Sequence, residues 1–244
     1  MHVDVALVPA EVRHWPDTVC IVVDQLRASS TLTTLLDLGC PSVHVTRTLA
    51  EARRLGRATG ALLAGERHGL VPRGFDANNS PVELSRLEVR DRPVVLCTSN
   101  GTRVLALVRH MPLTLVGCLL NAGACAQAAV DAAIARGIGV GIVCAGTVGR
   151  FALDDAVAAG EIVGRVIALS AERGVSCEVT DAAMAALQLR SAYTDLAVAL
   201  EESTAGRLVH RIGASDDLAF CARVDASTTV PVLRGGSPMA IGRL

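Results

Sequence analysis

Short β-branched runs alternate with longer amphipathic segments from about residue 19 to about residue 172, and this alternation leaves few folds open. The runs are almost continuously hydrophobic, as expected for strands covered on both faces of a parallel or mostly parallel sheet. The predicted strands are 19–23, 42–45, 61–63, 94–97, 113–116 and 138–144, with a weaker candidate at 228–233. The predicted helices are 28–38, 49–59, 102–110, 122–136 and 153–172. This order predicts an α/β fold with three layers, α/β/α, around a mostly parallel or mixed sheet.

The C-terminal part of the chain is predicted to be helical. Residues 181–223 contain no convincing strand, and their Ala and Leu content favours helices interrupted near Gly206 and Gly213, so the helical part is expected over about 175–223. No linker-like stretch divides the chain, so a single domain over residues 1–244 is expected. The segment 235–238 is expected to be loose.

The composition excludes several classes of function. Net charge is -1 and aromatic residues make up 2% of the chain, which argues against nucleic acid as a partner. All 23 basic residues are Arg, so a bound anion must be held by Arg, backbone amides or a metal. The 8 Cys residues form no C-x-x-C pair and indicate free thiols in a reducing cytosol. No apolar run is long enough to span a membrane and no signal-peptide pattern is present, so a cytoplasmic protein is predicted.

Polar residues gather directly after the predicted strands, at the sheet edge where ligands bind in open α/β folds. The first cluster follows the strand at 19–23 and contains Asp24, Arg27 and Ser29. An Asp at this place can ligate Mg²⁺, an Arg can bind phosphate through two hydrogen bonds, and a Ser hydroxyl can donate another. Helix capping by Asp24 or Ser29 is an equally consistent interpretation.

The second cluster lies in a long Gly-rich loop, residues 64–81. Long loops of this kind in a compact domain are often functional. Glu66 and Asp76 are candidate metal ligands or bases, and Arg67 is a candidate clamp for an anion. Asn79 is a candidate substrate contact, with a role in starting the next helix as the alternative.

The third cluster, Ser99, Asn100, Gly101 and Thr102, follows the strand at 94–97. A Gly that opens a helix after small hydroxyl residues presents backbone amides and the positive end of the helix dipole to an anion. These residues are therefore predicted to cradle a phosphate.

The fourth cluster follows the strand at 138–144 and repeats the theme of a Gly-rich turn, an Arg and acidic residues. Its candidate site residues are Gly146, Thr147, Arg150, Asp154 and Asp155. Neighbouring residues on a helix point about 100° apart, so the two Asp side chains are not expected to face one site. One of them is expected to cap the helix or to match its dipole.

These four clusters, in this order, resemble the 2-phosphosulfolactate phosphatase family. The matching stretches are V-V-D-Q-L-R-A-S, A-G-E-R-H-G, G-F-D-A-N-N-S-P, T-S-N-G-T and C-A-G-T-V-G-R-F-A-L-D-D. The stretch 217–225 is similar to the ending of that family, and the resemblance runs from about residue 19 to about residue 233. One departure is Gln25, where the family usually carries an aliphatic residue. This polar side chain beside a candidate metal ligand puts the substrate in question more than the reaction.

The resemblance implies a Mg²⁺-dependent acid phosphatase that acts on 2-phospho-3-sulfolactate, a step toward coenzyme M. We expect Mg²⁺ to be held by some of Asp24, Glu66, Asp76, Asp154 and Asp155. We expect Arg27, Arg67 and Arg150, with amides near Asn100 and Gly101, to stabilise charge on the phosphoryl group. Direct attack by water and a phosphoenzyme formed on Asp24 both remain open.

Two alternatives come from different classes. One is a phosphatase of the same fold that acts on another small phosphorylated acid, which the Gln25 departure motivates. The other is a non-catalytic protein that binds phosphorylated metabolites. Cys144 is a weaker candidate nucleophile, and closing a buried strand is its alternative role. The expected partner is a small anionic substrate, and a homodimer is the working expectation for the oligomeric state.

Overall fold

A computed structural model describes residues 1–236 and 238–244, and the side chain of His14 lies outside the description. The strands are β1 (His2–Ala6), β2 (Thr18–Val23), β3 (Val43–Thr46), β4 (Leu62–Gly65), β5 (Val94–Cys97), β6 (Leu113–Gly117), β7 (Gly139–Cys144), β8 (Glu178–Val179), β9 (Pro231–Leu233) and β10 (Met239–Arg243). The helices are α1 (Ala28–Asp37), α2 (Leu49–Thr59), α3 (Pro81–Leu84), α4 (Asn100–Val108), α5 (Ala122–Arg136), α6 (Leu153–Glu172), α7 (Asp181–Ser191), α8 (Leu196–Glu202), α9 (Thr204–Arg211) and α10 (Asp216–Cys221). Short 3₁₀ turns cover Pro9–His14 and Leu119–Asn121.

Strand β2 lies inside the sheet and shows why its sequence is hydrophobic throughout. It pairs in parallel with β6 on one side and β7 on the other. Val19, Ile21 and Val23 face a core shared with α5 and α6. Cys20 and Val22 face the opposite core, shared with α1 and α4. Both faces are covered, so the predicted α/β fold with helices on both sides of the sheet is confirmed.

The described strands form one mixed sheet in the order β4-β5-β3-β10-β9-β6-β2-β7-β1-β8. The β9–β10 hairpin pairs antiparallel with β6 and β3 and joins two parallel halves. Side chains from both halves share one core, which brings the carboxyl ends of β2, β4, β5 and β7 to one region.

Several elements escape the sequence pattern. Strands β1, β8 and β10 and the helix α3 were not among the predicted elements. In β1 polar residues alternate with apolar ones, and β10 is a short apolar stretch that ends at Gly242, so neither strand has a long continuous apolar run. The helices predicted at the C-terminus are confirmed as α7 to α10, but the helical part begins at Asp181 and not near 175, because Glu178–Val179 form β8 by pairing with β1. Within the segment 235–238, Ser237 lies outside the described residues.

The breaks predicted near Gly206 and Gly213 are confirmed, because α8 ends at Glu202 and α9 ends at Arg211, although Gly206 itself lies inside α9. The first break falls at Ser203, whose hydroxyl accepts a hydrogen bond from Gly206 N at 2.8 Å and caps α9. A Cβ on Gly206 would lie 1.8 Å from the carbonyl oxygen of Leu200, so this Gly lets α9 pack closely on α8. None of the helices in the described ranges is long and apolar enough to cross a membrane.

Candidate active site

A cavity of about 240 Å³ lies where the carboxyl ends of β2, β4, β5 and β7 meet α9. Loops that follow different strands line it, as is typical of ligand sites in open α/β sheets. The predicted site residues on its wall are Asp24, Arg27, Glu66, Asn79, Ser99, Asn100 and Thr147. The structure therefore brings together residues from all four sequence clusters.

Asp24 is the first residue after β2, and the N-termini of two helices approach its carboxylate. Its Oδ1 atom accepts a hydrogen bond from Ala28 N of α1 at 3.4 Å, and the Gly101 amide of α4 also contacts it. Burial raises the pKa of Asp24 to about 6, although the two amides and Arg27 act in the opposite direction. Asp24 can therefore exchange a proton close to neutral pH.

Ser29, Gly101 and Thr102 lie around Asp24 and outside the cavity wall described above. The Ser29 hydroxyl accepts a hydrogen bond from Asp24 N at 2.9 Å. A Cβ added to Gly101 would lie 2.8 Å from Asp24 Oδ2. Thr102 Oγ1 lies 3.0 Å from Thr98 Oγ1 in the buried start of α4. The predicted phosphate cradle at Gly101 is therefore directed at the carboxylate of Asp24, which the positive end of α4 stabilises.

Asp154 and Asp155 begin α6, and the helix is capped by neither, since its N-cap residue is Ala152. Asp155 accepts hydrogen bonds from Gln25 N at Oδ1 and from Gly146 N at Oδ2, both at 2.8 Å. It thereby joins the loops after β2 and β7, and this is the role the structure gives Gly146. Of the two roles expected for one Asp, the cap is wrong, whereas a charge in the first turn that matches the dipole is confirmed, since both Asp154 and Asp155 lie in the first turn of α6.

Asp154 has a different environment from its neighbour. Its carboxylate lies against the Leu26 amide and the Ser203 hydroxyl, and its Oδ1 atom is buried without a hydrogen-bond partner among the described residues. Burial, together with the charge of Asp24, raises the pKa of Asp154 to about 7. Burial, then Asp154 and Asp24, also raise the pKa of Asp155 well above its usual range. The three buried carboxylates therefore interact electrostatically, and ionisation of one raises the pKa of another.

Arg27 lines the cavity and is held from behind by a residue near the end of the chain. Its guanidinium donates to Asp217 Oδ2 at 2.7 Å and to Asn78 Oδ1 at 3.3 Å. Asp217 is itself buried and accepts further hydrogen bonds from Ser80 Oγ and Val82 N. A guanidinium has five N–H groups, so Arg27 keeps donors for an anion in the cavity.

Glu66 and Arg67 are adjacent in sequence, but their side chains contact different parts of the structure. Glu66 lines the cavity and accepts hydrogen bonds from Gly69 N at 3.0 Å and Ser99 Oγ at 3.3 Å. Arg67 donates to the carbonyl oxygens of Arg47 and Glu66 at 2.6 and 3.1 Å. The predicted clamp for an anion is therefore a brace between loops, and its side chain is not part of the cavity wall.

Asp76 and Arg150 are not on the cavity wall. Asp76 accepts a hydrogen bond from Leu63 N at 2.8 Å and fastens its loop to β4. Arg150 is exposed, and its backbone pairs with Thr147 across a tight turn. The structure places neither residue where the predicted metal or phosphoryl contact would be made. The reason is that each side chain leaves its loop in a direction that strand-end position alone does not determine.

Cys144 and Arg150 have the Cys-x5-Arg spacing of a tyrosine-phosphatase loop, but the structure does not use it that way. Cys144 is fully buried in the core, and burial raises the pKa of its thiol well above its usual range. A buried neutral thiol is a poor nucleophile. Closing the strand, the alternative role, is what its position supports.

Sequence reasoning missed the contribution of α9 and misjudged Gln25. Thr204, Ala205, Leu208 and Arg211, followed by Ile212, form a wall of the cavity. Their only signal in the sequence is the helical spacing of one face, which is also typical of an ordinary amphipathic helix. Gln25 is buried, donates to the carbonyl of Cys221 and accepts from Leu119 N, each at 2.9 Å. Its side chain does not reach the cavity wall, so it offers no reason for a different substrate.

The donor atoms near Asp24 suit a hard cation such as Mg²⁺. Buried oxygens without a hydrogen-bond partner in the described chain include Asp154 Oδ1 and Asn79 Oδ1, and Asn79 lines the cavity. Within residues 1–236 and 238–244, no group of three or more His, Cys, Asp or Glu side chains is placed to hold a metal. Mg²⁺ is usually bound by one or two carboxylates together with substrate phosphate and water, so Asp24 and Asp154 fit this pattern.

Buried carboxylates beside an Arg, at the carboxyl edge of an α/β sheet, define an enzyme site for a small anionic substrate. A family model described as 2-phosphosulpholactate phosphatase matches residues 6–236. The chain belongs to this family, and the predicted class of enzyme, a phosphoric monoester hydrolase, is confirmed.

Curated relatives match over nearly the whole chain. A probable 2-phosphosulfolactate phosphatase of Deinococcus radiodurans is 40% identical, with 95% of this chain and 93% of the relative covered. A protein with the same name in Thermus thermophilus is 37% identical, covering 96% of this chain and 95% of the relative. A third, from Pseudothermotoga lettingae, is 35% identical over 94% of this chain and 95% of its own length.

Proposed function

We propose that this chain is a Mg²⁺-dependent phosphatase that hydrolyses 2-phosphosulfolactate to sulfolactate and phosphate. The observation that supports this most is the buried Oδ1 atom of Asp154, which has no hydrogen-bond partner among the described residues and lies close enough to Asp24 for their charges to interact, while Asp24 and Arg27 line the cavity. Unpaired buried carboxylates need either protons or a cation, and a phosphoryl group needs cations around it. The names of the relatives supply the substrate.

The charges of the cavity agree with a need for a metal. Asp24 and Glu66 are the acidic residues on the wall; of the two Arg residues on it, Arg27 is paired with Asp217 and Arg211 lies at the other end of the cavity. A substrate with phosphate, sulfonate and carboxylate groups adds more negative charge. Asp24 and Asp154 are the residues that would hold Mg²⁺, which when bound polarises the phosphoryl oxygens.

Arg27 and Asp24 have separate roles in the proposed reaction. Arg27 donates its unused N–H groups to the phosphoryl oxygens and orients them. Asp24 either accepts the proton of the attacking water or attacks phosphorus itself, and in both routes the ester P–O bond breaks and the ester oxygen takes a proton from solvent to leave as the hydroxyl of sulfolactate. In the second route water then hydrolyses the phosphoenzyme and releases phosphate. Acid quenching with ³²P-labelled substrate separates these routes, because only the second leaves label on the protein.

The decisive experiment is phosphate release from a panel of phosphorylated small acids, with Mg²⁺ and with EDTA. Release that depends on Mg²⁺ and peaks on 2-phosphosulfolactate supports the proposal. Release that peaks on another phosphorylated acid supports a phosphatase but rejects 2-phosphosulfolactate as its substrate. Tight binding without release supports a non-catalytic binding protein. A role in coenzyme M synthesis, the cytoplasmic location and the homodimer stay predictions.

A further inference from the structure

Helix α9 forms one wall of the cavity along its whole length. Thr204, Ala205, Leu208 and Arg211 recur at the spacing of one helix face, and Ile212 follows. From Thr204 to Arg211 the axis rises about 10 Å, since each residue adds about 1.5 Å. The two ends of α9 therefore contact different parts of the site.

The orientation of α9 follows from its contacts. Ser203, at its N-terminus, lies against Asp154, so this end adjoins the acid end of the cavity, which we define as Asp24 on the wall together with Asp154 and Asp155 buried near it. At its other end, the Ile212 and Leu208 side chains lie against Gly69, where an added Cβ would be 3.3 Å from Ile212 Cδ1. We name this region, formed by Leu208, Arg211 and Ile212, the α9 end.

Arg211 is the cation at the α9 end. Among the described residues, no Asp or Glu oxygen lies within 4.0 Å of its guanidinium, and no hydrogen bond from it is present. Arg27, by contrast, is bound to Asp217 at 2.7 Å. The ordinary role for Arg211 is to complement the C-terminal end of the α9 dipole. That role does not require it to line the cavity.

We propose that Arg211 binds the acid group of the substrate that is not hydrolysed, and so selects phosphomonoesters that carry a second oxyanion. The inference rests on the proposed function, which places the phosphoryl group at the acid end. A phosphate, a carboxylate and a sulfonate on adjacent carbons then extend toward the α9 end. A guanidinium is suited to either oxyanion through paired hydrogen bonds.

The test compares Arg211→Gln with the unchanged enzyme on three substrates. These are 2-phosphosulfolactate, 2-phospholactate, which lacks the sulfonate, and isopropyl phosphate, which lacks both acid groups. Loss of one charge-assisted pair is expected to lower kcat/KM about 10- to 100-fold on 2-phosphosulfolactate, mainly through KM. The value on isopropyl phosphate stays within about 2-fold, and 2-phospholactate shows which oxyanion Arg211 binds. Arg211→Lys, which keeps the charge, recovers part of the loss.

The matched control is Arg207→Gln, on the same helix. Arg207 bonds the Glu202 carbonyl and Thr204 and is absent from the cavity wall, so its removal should leave this substrate preference unchanged. An equal loss on all three substrates, or no loss on any, overturns the inference. If the unchanged protein hydrolyses none of them, the proposed phosphatase fails separately. In that case calorimetry measures the binding of 3-sulfolactate. Weaker binding by Arg211→Gln than by the unchanged protein supports the inference, and equal binding rejects it.

Discussion

At the acid end of the cavity Asp24, Asp154 and Asp155 are buried, whereas at the α9 end Arg211 is exposed and packs beside Leu208 and Ile212. The acid end is fixed by amides: Asp155 accepts two backbone hydrogen bonds, and Asp24 is contacted by two helix N-termini. The α9 end is a single short helix capped by Ser203. The comparison indicates that the groups we propose for chemistry are buried and fixed by backbone amides, while the group we propose for selection is presented from a separate helix.

The largest effect is expected from Asp24→Asn, which removes the carboxylate that the acid end surrounds. Phosphate release should fall by about 10³-fold or more, since an uncharged side chain neither binds the cation nor accepts a proton. The matched control is Asp76→Asn, outside the cavity wall, for which kcat should change by less than about 3-fold. A strong loss of kcat in Asp76→Asn would instead support the role of metal ligand or base that the sequence predicts for Asp76.

The next largest effect is expected for Asp217→Asn, which leaves the Arg27 charge buried without its partner. Breaking a buried ion pair in this way lowers the free energy of unfolding by about 3 kcal/mol. Urea unfolding measures the change. Asp37→Asn is the control, because its pair with Arg243 is largely exposed and should contribute less than about 1 kcal/mol. Equal losses in the free energy of unfolding in both variants would show that the buried Arg27–Asp217 pair contributes no more to stability than the exposed pair.

A smaller effect is expected for Gly101→Ala, which tests whether the acid end is rigid. The added Cβ would displace the Asp24 carboxylate, so kcat should fall about 10-fold with little change in folding. Gly164→Ala in α6 is the control, because its Cβ meets only ordinary contact with Leu187 at 3.4 Å. Unchanged kcat in Gly101→Ala would show that Asp24 tolerates movement and that the two ends differ less than we infer.

The smallest expected effect is a change in Tm that depends on both pH and Mg²⁺. The pKa values of Asp24 and Asp154 are raised to about 6 and about 7, above the roughly 3.9 of an unfolded Asp. Their contribution to stability is therefore complete below about pH 4 and is lost as pH rises through 6 to 7. Mg²⁺ should offset this loss, raising Tm by roughly 3–5 °C at pH 8 and much less at pH 5, where protons compete. Differential scanning fluorimetry measures both shifts, and Asp154→Asn should remove most of the Mg²⁺ effect at pH 8.

Much of the fold was predictable because hydrophobic periodicity is local. The continuous run of β2 and the amphipathic spacing of α5 and α6 are set by which neighbours each side chain meets. The edge of the site was predictable too, since Asp24, Glu66 and Ser99 follow strands whose carboxyl ends converge. The interspersed pattern of β1 and the α9 wall were not, because neither carries a signal that distinguishes it from common alternatives.

The sequence by itself determined the α/β class, the strand-end clusters and the family, since these depend on local patterns and on motifs in order. Only the tertiary structure decided which polar side chains face the cavity. Arg27 does so because Asp217, 190 residues away, holds it, while Arg67 turns to the Arg47 carbonyl. A side chain's direction after a strand depends on the partners that distant segments bring to it, and those partners exist only once the chain has folded.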